Sequence, residues 1–181
     1  MPVYISLLRA INLAGHNRMK MSELEAAMRS LGFDEVKTYL QSGNVIFRAR
    51  GPSAKLSETI EAKIERVFGF SVTVISRTAE EMGKAIQNNP FLEQNGVDPS
   101  HLHVTFLESA PTGAVEKLDR LRGEPDQFRH RGRELYLYCC QGYGRTKLSN
   151  QAIERALALR ATTRNWRTVN QLYQMAAGVV R

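Results

Sequence analysis

Residues 31–47, Leu31-Gly32-Phe33-Asp34-Glu35-Val36-Lys37-Thr38-Tyr39-Leu40-Gln41-Ser42-Gly43-Asn44-Val45-Ile46-Phe47, decide the fold. Gly32 is a helix stop, and Phe33 is placed to close the apolar contact that accompanies such a C-cap. Val36 to Leu40 and Val45 to Phe47 then alternate as two strands joined by the turn Gln41 to Asn44. A helix end running into a hairpin is the middle of a split βαβ unit, which requires a strand and helix before it and a helix and strand after it.

Both flanks supply them. Upstream, Val3 to Leu8 is a strand. Ser22 and Glu25 are spaced as a capping box, with Leu24, Ala27, Met28 and Leu31 following at helical spacing. Downstream, Leu56, Ile60, Ile64 and Val67 mark a second helix that ends at Gly69-Phe70, the same Gly-Phe stop. Val72 to Ile75 is a fourth strand, and Thr78 with Glu81 opens a third helix ending near Asn88.

Asn89 to Ser100, with two prolines, a glycine and two asparagines, is expected as a linker. Beyond it the order repeats. His101 to Leu107 is a strand, and Val115, Leu118 and Leu121 lie on a helix. Gln127 to His130 and Glu134 to Cys139 form a hairpin around Arg131-Gly132. Ile153, Ala156 and Leu157 lie on a helix, Arg160 to Thr163 is a short strand, and Trp166 to Ala176 is a last helix capped by Asn165. The expected class is therefore α+β, two ferredoxin-like βαββαβ halves each trailed by a helix. Their expected bounds are residues 1–88 and 101–181, with 89–100 between.

The chain has 181 residues, 43% hydrophobic and 24% charged, an ordinary globular composition. The apolar run at the start ends at Arg9, too short for a membrane span and without a basic leader, so a cytoplasmic protein with no membrane partner is expected. Cys139 and Cys140 are neighbours and point to opposite sides of a strand, so they are expected as reduced thiols.

The net charge of +7 is unevenly placed. Residues 1–128 hold 15 Lys and Arg against 16 Asp and Glu, while residues 129–181 hold 10 against 2. Nine of those ten are arginines: Arg129, Arg131, Arg133, Arg145, Arg155, Arg160, Arg164, Arg167 and Arg181. The guanidinium fork suits phosphate and carboxylate, so the asymmetry fits a polyanionic partner, an acidic protein surface or a solvated basic face.

Two segments repeat R-x-K-x-S ahead of a helix. The first strand leads into Gly15, Arg18, Lys20 and Ser22, and the second hairpin leads into Gly142, Gly144, Arg145, Lys147 and Ser149. In ferredoxin-like units the turns after the first and third strands are related, so the two segments occupy comparable places. A helix start has free N–H groups and partial positive charge. Glycines admit close approach, and the basic side chains add donors, which together make a phosphate cradle. Arg9 and Asn12 support the first loop. The spacing is not that of a P-loop, and plain helix capping by Ser22 and Ser149 explains the serines equally well.

Tyr136 and Tyr138 share a strand face on which bases could stack, with His103 and Thr105 joining from the next strand. Arg164 and Arg167 flank Trp166 and could extend a basic face. His101 and His103 lack a third ligand nearby, so no metal is expected, and no cofactor either. His16 beside Asn12 has no evident acid–base partner. Neither a nucleophile elbow nor a loop of paired carboxylates is present, so whether the chain is an enzyme stays open. Three readings remain: a phosphate-recognising module for a nucleic acid or nucleotide, an enzyme on a phosphorylated small metabolite, or an interaction module for an acidic partner.

The segments RAINLAGHNRMKMSEL (9–24), LGFDEVKTYLQSGNVIF (31–47), NNPF (88–91), YGRTKLSN (143–150) and ATTRNWRTVNQL (161–172) resemble the bacterial family known as domain of unknown function 1697. The resemblance implies an α+β fold with ferredoxin-like subdomains and implies no activity. The chain departs from the family pattern at Arg167, where Asn is usual, and near His16, where Lys is usual.

Overall fold

The computed structural model describes residues 1–113, 115–121 and 123–179. Arg181, counted above among the basic residues, lies outside them. The described chain forms two four-stranded antiparallel sheets of the same pattern. In the first half, β1 (Val3–Leu8), α1 (Met21–Arg29), β2 (Asp34–Tyr39), β3 (Asn44–Arg48), α2 (Ser53–Phe68) and β4 (Val74–Thr78) give the sheet order β2-β3-β1-β4. After α3 (Ala79–Gln87), the second half contributes β5 (Leu102–Leu107), β6 (Gln127–Arg131), β7 (Glu134–Tyr138), α4 (Asn150–Leu157) and β8 (Ala161–Asn165), in the order β6-β7-β5-β8. Helix α5 (Trp166–Val179) closes the described chain. The α+β class with two ferredoxin-like halves is thus what the chain adopts.

By compactness the chain divides into Met1–Gly83 with Gln171–Arg181, and Lys84–Asn170. The divisions fall inside α3 and α5. Residues 89–100 are built into two 3-10 turns, Pro90–Glu93 and Pro99–His101, capped by the side chains of Asn89 and Asp98, with Phe91 buried.

In the first unit, α1 and α2 lay Leu24, Met28, Leu56, Ile60 and Ile64 on Tyr4, Leu8, Val45 and Phe47 of the sheet. Phe33 stacks on Phe47 at 4.6 Å, so the residue after the helix stop is itself core. The stops at Gly32 and Gly69 have φ of +80° and +76°, the left-handed region where glycine carries no Cβ penalty. Val67, expected in the buried stripe of α2, is 50% exposed, and its neighbour Phe68 packs against the core instead. The opposite sheet face, with Ile5, Leu7, Ile46, Ile75 and Arg77, is also buried.

In the second unit, Leu107, Leu135, Leu137, Ile153 and Leu157 form the core between the sheet and α4. The expected helix at Val115 is a 3-10 helix, Val115–Arg120, with Leu118 buried. Two expected caps form as their spacing implies. Thr78 and Glu81 exchange both capping bonds, 3.1 and 2.8 Å, and Asn165 accepts from Thr168 N at 2.8 Å.

Candidate anion-binding groove at the start of the first helix

The loop from the end of β1 to α1 turns back on itself through left-handed residues. Ala10, Asn12, Ala14, Gly15 and Asn17 all have positive φ. Such backbone is costly for residues other than glycine, least so for asparagine, and requires compensating bonds. They are present: Asn12 N donates to Asn17 O at 3.1 Å, Asn17 Nδ2 to Ala10 O at 3.1 Å, and His16 N to Leu13 O at 2.8 Å. The Asn12 side chain fixes the far side of the loop. Its Oδ1 accepts from Met19 N at 2.8 Å, and its Nδ2 donates to Met19 O at 2.9 Å and to Gln41 O at 3.0 Å.

That last bond joins the loop to the β2–β3 turn. Because β3 runs antiparallel to β1, with Leu7 opposite Asn44, the turn emerges beside the end of β1. Leu8 N donates to Gly43 O at 2.8 Å. Beside the Asn12–Gln41 connection lies an open groove of about 850 Å³, with Asn12, Gly15, Arg18, Lys20, Ser22 and Gln41 in its wall.

Arg18 is exposed, and its Nη2 lies 3.7 Å from where a Cβ on Gly15 would stand. Lys20 is 82% exposed, with Nζ 3.9 Å from Glu23 Oε1. An exposed pair at that distance contributes little, so Lys20 stays available to a ligand. Lys20 also occupies the N-cap of α1 and supplies no side-chain acceptor there. The helix start is left without an internal cap.

The expected capping box is not formed. Ser22 is the second residue of α1, exposed and two residues past the N-cap position. Glu25 turns outward to β2, where its Oε1 accepts from Thr38 N at 3.1 Å and Thr38 Oγ1 at 2.8 Å. Asn12 holds Met19 and so sets an early entry into the helix. Arg9 is half-buried and not free, and its backbone N–H donates to Thr73 O at 2.9 Å.

The second segment differs in register. Tyr143–Arg145 is a 3-10 turn that follows Gly142 at φ +86°, and Ser149 is the true N-cap, accepting from Ala152 N at 3.3 Å. Gly144 needs no positive φ. Arg18 stands two residues before its helix cap, whereas Arg145 stands four before its own. The matching strings therefore do not make matching cradles. Arg145 and Lys147 are exposed, and the Lys147 stem runs along Gly123, its Cδ 3.5 Å from where a Cβ there would stand.

The tyrosine face is not open. Tyr136 is buried, and its hydroxyl donates to Ala85 O of α3 at 2.7 Å. Burial raises its pKa, with Glu134 adding to the effect. Tyr138 is half-buried, its ring 6.0 Å from both Phe91 and His101. His103 and Thr105 pair with Leu137 and Leu135, so they lie on the other face. Base stacking on Tyr136 is thereby excluded sterically.

The extended basic face is also corrected at Arg164. This residue is buried, its Nη1 donating to Thr162 Oγ1 at 2.9 Å and Thr163 O at 3.0 Å, and desolvation pulls its pKa down to about 10. Arg167 is exposed. Elsewhere in this third, Arg129 lies 5.4 Å over the Phe91 ring, Arg131 donates to Asn88 O at 3.0 Å, and Arg160 pairs with Glu108 at 2.8 Å. Cys139 and Cys140 are free thiols, and burial pushes the Cys139 pKa up to about 11. Among the described residues no group of three or more His, Cys, Asp or Glu is placed to hold a metal.

Met19, Met21, Glu23 and Gln41 line the groove without having been expected there from the sequence. The signal for Gln41 was available, since strand direction alone puts the β2–β3 turn beside the exit of β1.

A family model described as a protein of unknown function, DUF1697, matches residues 1–136. A solved structure, that of conserved bacterial protein SP0830 from Streptococcus pneumoniae, is similar with a TM-score of 0.69 at 20% identity, covering 97% of this chain and 98% of that one. At that identity the likeness speaks to the fold. No curated protein matches the chain.

Proposed function

We propose that this chain, which belongs to the DUF1697 family, is a phosphate-recognising module that takes a nucleotide-sized ligand, or the terminal phosphate of a nucleic acid, in the groove at the start of α1. One observation carries the reading: Arg18 and Lys20 line the same groove as a helix start whose cap position offers no side-chain acceptor. Amide protons and a partial positive charge at such an end favour an anion, and two flexible cations supply further donors. The volume falls within the usual range for small-ligand sites of ~300–1,000 Å³.

The burial of Tyr136 and Arg164 weighs against an extended single-stranded polymer, because the stacking platform and part of the basic face are absent from the surface. A site with two cations releases few counterions, so affinity is expected to fall gently with salt. Calorimetric titration with orthophosphate, adenosine monophosphate and a short oligonucleotide at two salt concentrations tests this. Arg18→Ala is expected to weaken the phosphate compounds at least tenfold, and an undiminished affinity in that variant removes the reading. A steep salt slope seen only with the oligonucleotide moves the function to the polymer.

A further inference from the structure

We infer that β6 is a docking edge, where an extended segment of another protein, acidic and apolar at alternate residues, adds itself to the second sheet. The edge lies in the second unit and shares no residue with the groove at α1. The sheet orders leave β2, β4, β6 and β8 outermost. On three of them a helix carboxylate accepts from a strand N–H, that of Thr38, Val74 or Ala161. Among the described residues no helix side chain does this for β6; its one side-chain bond is internal, from Arg129 to Phe128 O.

The hydrogen-bond alternation fixes which groups β6 offers. Arg133 O accepts from Leu107 N at 2.9 Å, so the Arg133 backbone faces β5, and Glu134, Tyr136 and Tyr138 face β6. Their partners are Arg131, Arg129 and Gln127. The N–H and C=O groups of Phe128 and His130, which alternate with these, point away from the sheet. His130 stands one residue before the closing pair of its hairpin, as Thr38 does in the first half. There Glu25 of α1 takes the Thr38 N–H. In the second half the 3-10 helix Val115–Arg120 stands where α1 would, and among the described residues its Glu116 and Asp119 make no bond to β6.

Side chains select the partner. Residues 127–133 include Arg129, Arg131 and Arg133 and no carboxylate. Arg129 and Arg131 are exposed yet held, one 5.4 Å over the Phe91 ring and the other on Asn88 O at 3.0 Å. Each guanidinium has five donors and keeps some for a ligand. Carboxylates at alternate residues of an added strand come opposite these two arginines. The residues between meet Phe128, half-buried against the core, and are therefore apolar. The same cations repel a second copy of β6, so the partner is a different chain.

The test uses the full chain and three labelled peptides in fluorescence anisotropy. One alternates glutamate and valine, one alternates lysine and valine, and one is a fully N-methylated copy of the first, which keeps its charge but cannot pair as a strand. The glutamate peptide is expected to bind about tenfold tighter than either of the others. It is also expected to slow hydrogen exchange at the Phe128 and His130 amides. Arg129→Glu with Arg131→Glu, at two exposed positions, is expected to turn the preference toward the lysine peptide. Should that variant unfold, the exchange pattern of the parent chain decides. No binding of the glutamate peptide overturns the inference and leaves the arginines as guards of the edge. Equal binding of the N-methylated copy, protection confined to other strands, or an unchanged preference in the folded variant overturns it as well.

Discussion

A Cβ on Gly43 would stand 2.7 Å from Ile11 Cδ1 and 2.8 Å from Leu8 Cβ, and the residue has φ +80°. Both facts exclude a side chain. Gly43→Ala is therefore expected to cost roughly 2–3 kcal/mol, from left-handed strain together with overpacking, measured as a lower urea midpoint. His103 poses a second residue-scale question. Its ring stacks on Tyr143 at 4.9 Å, and burial lowers its pKa below the ordinary imidazole value of 6.5. The unfolded chain then binds a proton at higher pH than the folded one. The stability this residue contributes is present above about pH 6.5 and is lost as the pH falls toward the folded value. Denaturation curves between pH 5 and 7.5 are expected to show that decline, and His103→Phe, which keeps the stack without titrating, is expected to reduce it. Gly43 was visible as a turn residue in the sequence, but the closeness of Ile11 was not, because it depends on the loop folding back.

At the scale of elements, the outer strands β2, β4 and β8 are each closed by a side chain from a neighbouring helix. Glu25 of α1 accepts from Thr38 N of β2, Glu61 of α2 from Val74 N of β4 at 2.8 Å, and Glu154 of α4 from Ala161 N of β8 at 2.9 Å. On β6, Arg129 bonds the carbonyl of its own neighbour Phe128 at 2.8 Å. Removing such a charged acceptor leaves a strand N–H without its partner, so Glu61→Ala and Glu154→Ala are each expected to cost about 1–2 kcal/mol, measured by urea unfolding. Element type and order were legible from apolar period and glycine stops. Register relative to the helix start was not. The two R-x-K-x-S strings looked equivalent, yet Asn12 pulls one helix entry forward and Ser149 caps the other. A local string carries no record of such a tertiary bond.

Across the whole molecule, the two halves repeat more than their strand order. In the first, the opposed residues Ser6 and Ser76 lie 2.7 Å apart, and Ser57 of α2 donates to Ser76 at 2.9 Å. In the second, the opposed residues Thr105 and Thr163 lie 2.7 Å apart, and Thr163 donates to Asn150 of α4 at 2.7 Å. Each chain of polar groups joins the inner strand, the outer strand and the second helix of its half, satisfying groups that burial would otherwise penalise. The repeat of elements was legible in the sequence but this one was not, since the residues share no identity and only the pairing register aligns them. The buried Tyr136 face was likewise illegible, because a strand's alternation does not reveal what covers its second side.

The carboxylates on the outer strands also bear on how copies of the chain meet. A bare strand rim is a template on which another chain can lay a strand of its own. With Glu25, Glu61 and Glu154 together replaced by alanine, three rims lose their seals at once. Such a protein is expected to seed fibrils on gentle warming, well before global unfolding. A thioflavin time course run beside the parent chain would register the difference.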